Sequence, residues 1–316
     1  HNPLQPSQLR IDDDKALAES YFNFSEPTVL FFHAFFESSQ ATPASIIKTA
    51  YLQRGDHNII LANAPRLEAG PWYLTASKNT MIVGEYTAQF IDYLVSRGLY
   101  LPSLHLTGLS LGAQMAGVWT ECKKWKNSKD NSRICSRFLF GVMSIKLTES
   151  TSSSLFTCRP TPLPLPTLRS CRKKLYPVQP NFKFSGLDPA GPLFKKWPKN
   201  LKLDAGDAEF VDIIHTDAGI FGYPTQIGHV DFWPNQGISP QPGCTISEVK
   251  KRNPDSIIEP FFCSHWRSYQ FYAESVVNSR AFAGAVSCNS WENYTNGNCS
   301  PDNRPTTRMG LYVDWE

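Results

Sequence analysis

Leu104-His-Leu-Thr-Gly-Leu-Ser-Leu-Gly-Ala-Gln-Met-Ala-Gly117 reads as three pieces in immediate succession. Leu104 to Thr107 is a short apolar strand, Gly108-Leu-Ser-Leu-Gly112 a tight turn, and the small residues that follow a helix. A strand-to-helix turn this sharp crowds the backbone on both sides of its central residue. That explains a glycine at each flank and leaves Ser110 strained, with its hydroxyl outward. The N-terminus of the following helix favours negative charge beside that hydroxyl. The pattern is that of a nucleophile elbow.

Outward from the elbow, strands and helices alternate. Thr28-Val-Leu-Phe-Phe32 is a continuous apolar run of the kind buried on both faces of a parallel sheet. Thr42-Pro43 opens a helix that closes at Gly55, with Ile46, Ile47, Ala50 and Tyr51 on one face. Asn58 to Ala62 is a second strand. Asn79 to Arg97 carries Met81, Ile82, Tyr86, Phe90, Ile91, Leu94 and Val95 at helical spacing and ends at Gly98, where a left-handed cap is expected. A short strand after Asn181 leads to Asp188, Phe210 to Thr216 is another buried strand, and Ser264 to Asn278 a helix. This alternation predicts an α/β fold with a mostly parallel central sheet covered by helices on both faces.

With 316 residues, 41% of them hydrophobic, the chain has ample material for a large core. Its formal charge of +3 comes from nearly balanced acids and bases, without the basic run or face that nucleic acid binding needs. Eight cysteines, together with sequons at Asn23, Asn293 and Asn298, point to the oxidising secretory route and an extracellular location. Cys288 and Cys299 are placed to staple the turn-rich end. No apolar run is long enough to span a bilayer, so a soluble protein is expected. Beginning at His1 without a signal peptide, the chain reads as a processed or truncated product.

Three residue types needed for one chemistry occur in order: Ser110 at the elbow, Asp188 at a strand end, and His265 in Cys263-Ser-His-Trp. A serine hydroxyl is a poor nucleophile until a histidine takes its proton, and the histidine needs a carboxylate to hold its tautomer. Ser, acid, His is the chain order of α/β hydrolases.

With Gly186-Leu-Asp-Pro-Ala-Gly-Pro192, Val211-Asp-Ile-Ile-His-Thr-Asp217, Gly228-His-Val-Asp-Phe232, Gln241-Pro-Gly-Cys244 and Cys263-Ser-His265, the sequence resembles the animal pancreatic lipase family. Gly70-Pro-Trp-Tyr73 is similar to its insect neutral lipase and wasp-venom phospholipase A1 branch. The resemblance implies an α/β-hydrolase fold and a secreted carboxylic ester hydrolase, a triacylglycerol lipase or phospholipase A1, working at a membrane or emulsion interface. It implies Ser110 as nucleophile, Asp188 as acid, His265 as base, and the backbone N–H groups of Phe35 and Leu111 as the oxyanion hole. Relatives usually have glycine where this chain has Ala34. The Cys244–Cys263 pair would close a lid whose Ile246, Val249, Ile257, Ile258, Phe261 and Phe262 supply an apolar face. The remaining histidines at family positions, His33, His215 and His229, with Asp217, read as structural or supporting residues.

No cofactor is required by this chemistry, although Asp204 and Asp207 resemble positions that hold a structural calcium ion in some relatives. The resemblance fails over an irregular insert at about 122–181, which holds Cys122, Cys135, Cys158 and Cys171 and reads as a lineage-specific loop or translated intron. Elsewhere a single lipase domain covers 1–316, with no C-terminal β-sandwich domain expected. The alternative is a lipase-like lipid-binding or yolk-type storage protein with impaired catalysis.

Overall fold

The computed structural model describes residues 6–68, 70–117, 182–299 and 306–313. The insert and its four cysteines lie outside them.

Six parallel strands form the central sheet: β1 (Thr28–Phe32), β2 (Asn58–Leu61), β3 (Leu104–Leu109), β4 (Lys183–Leu187), β5 (Phe210–Ile214) and β6 (Val230–Phe232), in the order β2-β1-β3-β4-β5-β6. The apolar runs divide by strand periodicity. Leu30, Phe32, Leu106, Phe184, Val211 and Ile213 enter one core. There they meet helix α3 (Tyr73–Ser96) and the helical residues 111–117. Val29, Phe31, Leu109, Leu187, Phe210 and Ile214 enter the other core, against helix α2 (Thr42–Arg54) and the helix Glu259–Val277. Phe31 and Phe32 are thus buried on opposite faces, each contributing about 2–3 kcal/mol of apolar burial. Helices on both faces of a parallel sheet bear out the alternation and give the α/β-hydrolase architecture that the resemblance implies.

The register sets the site. Phe32 lies opposite Gly108, Gly108 opposite Gly186, and Gly186 opposite Ile213, so the strands end level with one another. The segments leaving this row begin at His33, Ser110, Asp188 and His215. Chain direction across the sheet reverses between β1 and β3, because β1 connects outward to β2 and β3 onward to β4. Such a switch point opens a crevice beyond the strand ends, where α/β sheets bind ligands.

Two helices begin earlier than their apolar periodicity suggests. In α3 the buried positions of the first turns are Ala76, Ser77 and Thr80, small or hydroxylated residues that print no apolar stripe. Ser77 and Thr80 turn their hydroxyls back to the Leu74 and Ser77 carbonyls. The helix Glu259–Val277 starts at Glu259-Pro260, with the proline in the first turn where its missing N–H costs nothing. His265 therefore sits in its second turn, buried, rather than at a solvated helix start.

Candidate active site

Ser110 has φ +54 and Asp188 φ +43, left-handed values that L-residues adopt at a cost of about 1–3 kcal/mol. Both follow directly on a strand, and each N–H extends the sheet's hydrogen bonding by one step. Ser110 N donates to Leu187 O at 2.9 Å, and Asp188 N to Ile214 O at 2.8 Å. The backbone stays locked while the side chain is turned out of the sheet. Gly108 and Gly112 make the elbow possible. A Cβ on Gly108 would lie 2.6 Å from the Ala113 backbone, and one on Gly112 would lie 2.4 Å from Phe32 O and 2.5 Å from His33 O. The helix start is therefore pressed against the end of β1.

His265 Nδ1 donates to Asp188 Oδ2 at 2.5 Å. The other carboxylate oxygen accepts the N–H groups of Thr216 at 2.9 Å and Asp217 at 3.2 Å. Asp188 is thereby held by three donors, with Nε2 left as the basic nitrogen of His265. The His265 carbonyl accepts from the Ser268 and Thr216 hydroxyls, which fixes the ring's backbone. Burial alone pulls the His265 pKa down, but the hydrogen bond and charge of Asp188, joined by Asp217 and Glu37, raise it above its ordinary value. Burial, and then the Asp188 charge, push Asp217 up to about 6. Ligating atoms of Asp188, Asp217 and His265 lie within 4.8 Å of one another. Asp188's share of that cluster is already spent on its three donors.

Among the described residues, neither Phe35 N–H nor Leu111 N–H has a hydrogen-bond acceptor. Ala34 is not among the residues with positive φ, and its methyl is buried in the second core. The backbone there is ordinary, so alanine is accommodated where relatives carry glycine.

Two residues at the site, Gly222 and Phe221, carry no legible signal in the sequence. Gly222 packs directly on the acid: a Cβ there would lie 2.3 Å from Asp188 Oδ1. Phe221 stacks on Phe262 with ring centroids 4.5 Å apart and lies 5.8 Å from the His265 ring, while Phe262 stacks in turn on Trp266. These aromatics wall off the Asp188–His265 pair. His215, outside the reactive group, lies flat on Trp233 at 3.8 Å with Nε2 2.7 Å from Asp231, bracing the loop that supplies the Thr216 and Asp217 donors.

Cys244 and Cys263 form a disulfide, as do Cys288 and Cys299. The first closes a loop containing a short helix, Ile246–Arg252, started by a capping box between Thr245 and Glu248. Of the loop's apolar residues Val249 is buried against the disulfide, whereas Ile246, Ile257, Ile258 and Phe261 are exposed. Asp204 and Asp207 cap their own turn: Asp204 Oδ1 accepts Gly206 N–H, and Asp207 Oδ2 accepts Asp204 N–H. Among the described residues no third His, Cys, Asp or Glu joins them within ligand-sharing distance. A cavity of 770 Å³ lies beside β2, lined in part by Leu9, Ile59, Ile60, Tyr86 and Phe90, and its lining includes none of Ser110, Asp188 and His265.

The model of the family described as Lipase matches residues 1–126 and 182–316. The chain belongs to the lipase family. It is 31% identical to human pancreatic lipase-related protein 3 over 99% of this chain and 57% of that protein. To pancreatic triacylglycerol lipase of Myocastor coypus it is 28% identical, over 97% and 58% respectively. It is also 28% identical to human inactive pancreatic lipase-related protein 1, over 99% and 57%. The chain thus spans less than two thirds of the length of these lipase-family relatives. One of them is named as inactive, so the case for catalysis has to come from the site itself. Among the described residues no helix is long and apolar enough to cross a membrane.

Proposed function

We propose that this chain hydrolyses carboxylic esters of lipids through an acyl-enzyme on Ser110. Ser110 Oγ attacks the ester carbonyl carbon while His265 Nε2 takes its proton and Asp188 steadies the imidazolium. The carbonyl oxygen, now an oxyanion, accepts from Phe35 and Leu111 N–H, each such donor contributing about 3 kcal/mol to the transition state. Collapse expels the alcohol, which leaves with the proton from His265, and water then releases the acid by the same route. The observation that carries this reading is the 2.5 Å Asp188–His265 hydrogen bond at the level where the elbow serine leaves the sheet.

Acylglycerols and the sn-1 ester of phospholipids are the proposed substrates, met at a membrane or emulsion surface. Exposed Ile246, Ile257, Ile258 and Phe261 on the disulfide-closed loop support its reading as a lid that offers apolar surface to lipid. The two disulfides favour an extracellular location. We read the matched residues as one lipase domain interrupted by the insert, which the family match skips from 127 to 181. No step runs through calcium.

The test is hydrolysis of emulsified triacylglycerol and of phosphatidylcholine by the wild type and by Ser110→Ala. Release of fatty acid by the wild type alone is expected. Equal rates for the two would reject the enzyme reading and leave the lipid-binding or storage alternative.

A further inference from the structure

Beneath the loop that joins β1 to α2 lie two acids that the proposed reaction does not use. Glu68 is 2% exposed, and its Oε2 is 2.8 Å from His33 Nδ1. The ring N–H is aligned instead on Ala34 O at 3.1 Å, so Oε2 has no well-directed donor among the described residues. His33 Nε2 accepts the Ala64 N–H at 3.4 Å, which puts the ring proton on Nδ1. A buried carboxylate with so little compensation is costly and calls for a reason.

The hydrogen bonds of the loop supply one. Ala34 N–H donates to Glu37 Oε2 at 3.2 Å, Phe36 N–H to Glu68 O at 3.0 Å, and Glu37 N–H to Ala34 O at 3.3 Å. Of the four N–H groups from Ala34 to Glu37, Phe35 alone has no acceptor among the described residues. Phe36 sits at φ +62, so the loop is bent through a left-handed residue and must be held there. Burial pushes Glu68 and Glu37 up, while the adjacent Glu68 carboxylate outweighs burial to raise His33.

We propose that Glu68, acting through His33, and Glu37 are positioning residues that hold loop 33–37 in the conformation leaving Phe35 N–H free for the oxyanion. The inference rests on Ser110 being the nucleophile and Phe35 N–H an oxyanion donor. A side chain that only filled space would lower stability without changing turnover per folded site. A positioning residue changes kcat.

The experiment compares wild type, Ser110→Ala, Glu68→Ala, Glu68→Gln and Glu37→Ala on the soluble ester p-nitrophenyl butyrate. Folded sites are counted by stoichiometric labelling of Ser110 with diethyl p-nitrophenyl phosphate. Glu68→Ala and Glu37→Ala are expected to lower kcat per labelled site about 10- to 100-fold, with KM within threefold, short of the 10²- to 10³-fold cost of deleting a donor. Glu68→Gln, which keeps the side chain's shape and its contact with His33, should restore kcat to within about threefold of wild type. Alanine variants that keep kcat per labelled site within about twofold of wild type would overturn the inference, since twofold is too little for a donor lost. Should Glu68→Ala fail to fold, Glu37→Ala decides on the same threshold, its side chain being only half-buried. If the wild type takes up no label, the Ser110 reading fails and this inference falls with it. That result is distinct from a labelled wild type with active variants.

Discussion

Replacing Gly222 with alanine should disable the site without touching any reacting atom. The new methyl would stand 2.3 Å from Asp188 Oδ1 and 2.7 Å from its Cγ and Oδ2. Real Cβ contacts do not fall below 3.0 Å, so the carboxylate must move by about 0.7 Å. Asp188 is wholly buried, and each of its oxygens is already committed. A displacement of that size takes the 2.9 Å Thr216 bond beyond hydrogen-bonding range or turns the oxygen away from His265. Losing one hydrogen bond to a charged group costs about 1.5–3 kcal/mol, and the forced overpacking about 1–3 kcal/mol more. Since among the described residues Asp188 is the imidazole's only hydrogen-bond partner, kcat should fall about 10²- to 10³-fold. Tributyrin hydrolysis and urea unfolding measure the two effects, with Gly284→Ala as control because its Cβ meets nothing within 4 Å. A Gly222→Ala protein that keeps more than about half the wild-type kcat would refute the reasoning, because a 0.7 Å shift at this acid cannot be silent.

With neutral His265 as the proposed base, kcat/KM should fall as pH drops through its raised pKa; Asp188→Asn should cut the rate about 10⁴-fold and move the residual acid limb to lower pH. An acid limb that stays put in that variant would count against His265. Burial lifts Asp212 from 3.8 to about 6, so the native state binds a proton that the unfolded chain releases. The contribution of Asp212 to stability is therefore fullest below pH 3.8 and is lost as pH rises through about 6, by up to about 3 kcal/mol. Asp212→Asn should make the fall in stability from pH 4 to 8 in urea unfolding shallower by that amount, Asp217 and the other raised acids keeping the remainder. Opening the Cys244–Cys263 link by a double serine substitution releases a loop of sequence separation 19, worth about 3 kcal/mol by chain entropy. It should lower the midpoint of thermal unfolding and reduce turnover of emulsified ester more than of soluble ester.

The sheet was legible because its strands are nearly continuous apolar runs. Thr28–Phe32 is found with the bounds read from sequence, and β2, β4 and β5 differ only at their ends. Ser110, Asp188 and His265 stood out because the chemistry restricts residue type and the fold restricts order, and the structure brings Asp188 and His265 into contact. Gly222 did not stand out, since a glycine between Phe221 and Tyr223 looks like any turn residue until the Asp188 carboxylate is seen against it. Glu68 was equally silent: a single acid between Leu67 and Ala69 in a short connecting segment shows no period or motif, and only tertiary contact with His33 makes its burial evident. The three residues of β6 were too few to show any period.

The close seat of Gly112 on the Phe32 and His33 carbonyls also bears on engineering. The elbow and loop 33–37 meet backbone to backbone, with no side chain between them to absorb a misfit. A chimera that borrows loop 33–37 from a relative should therefore take residues 108–113 from the same donor. Exchanging either alone risks separating two N–H groups whose value depends on a shared fraction of an ångström.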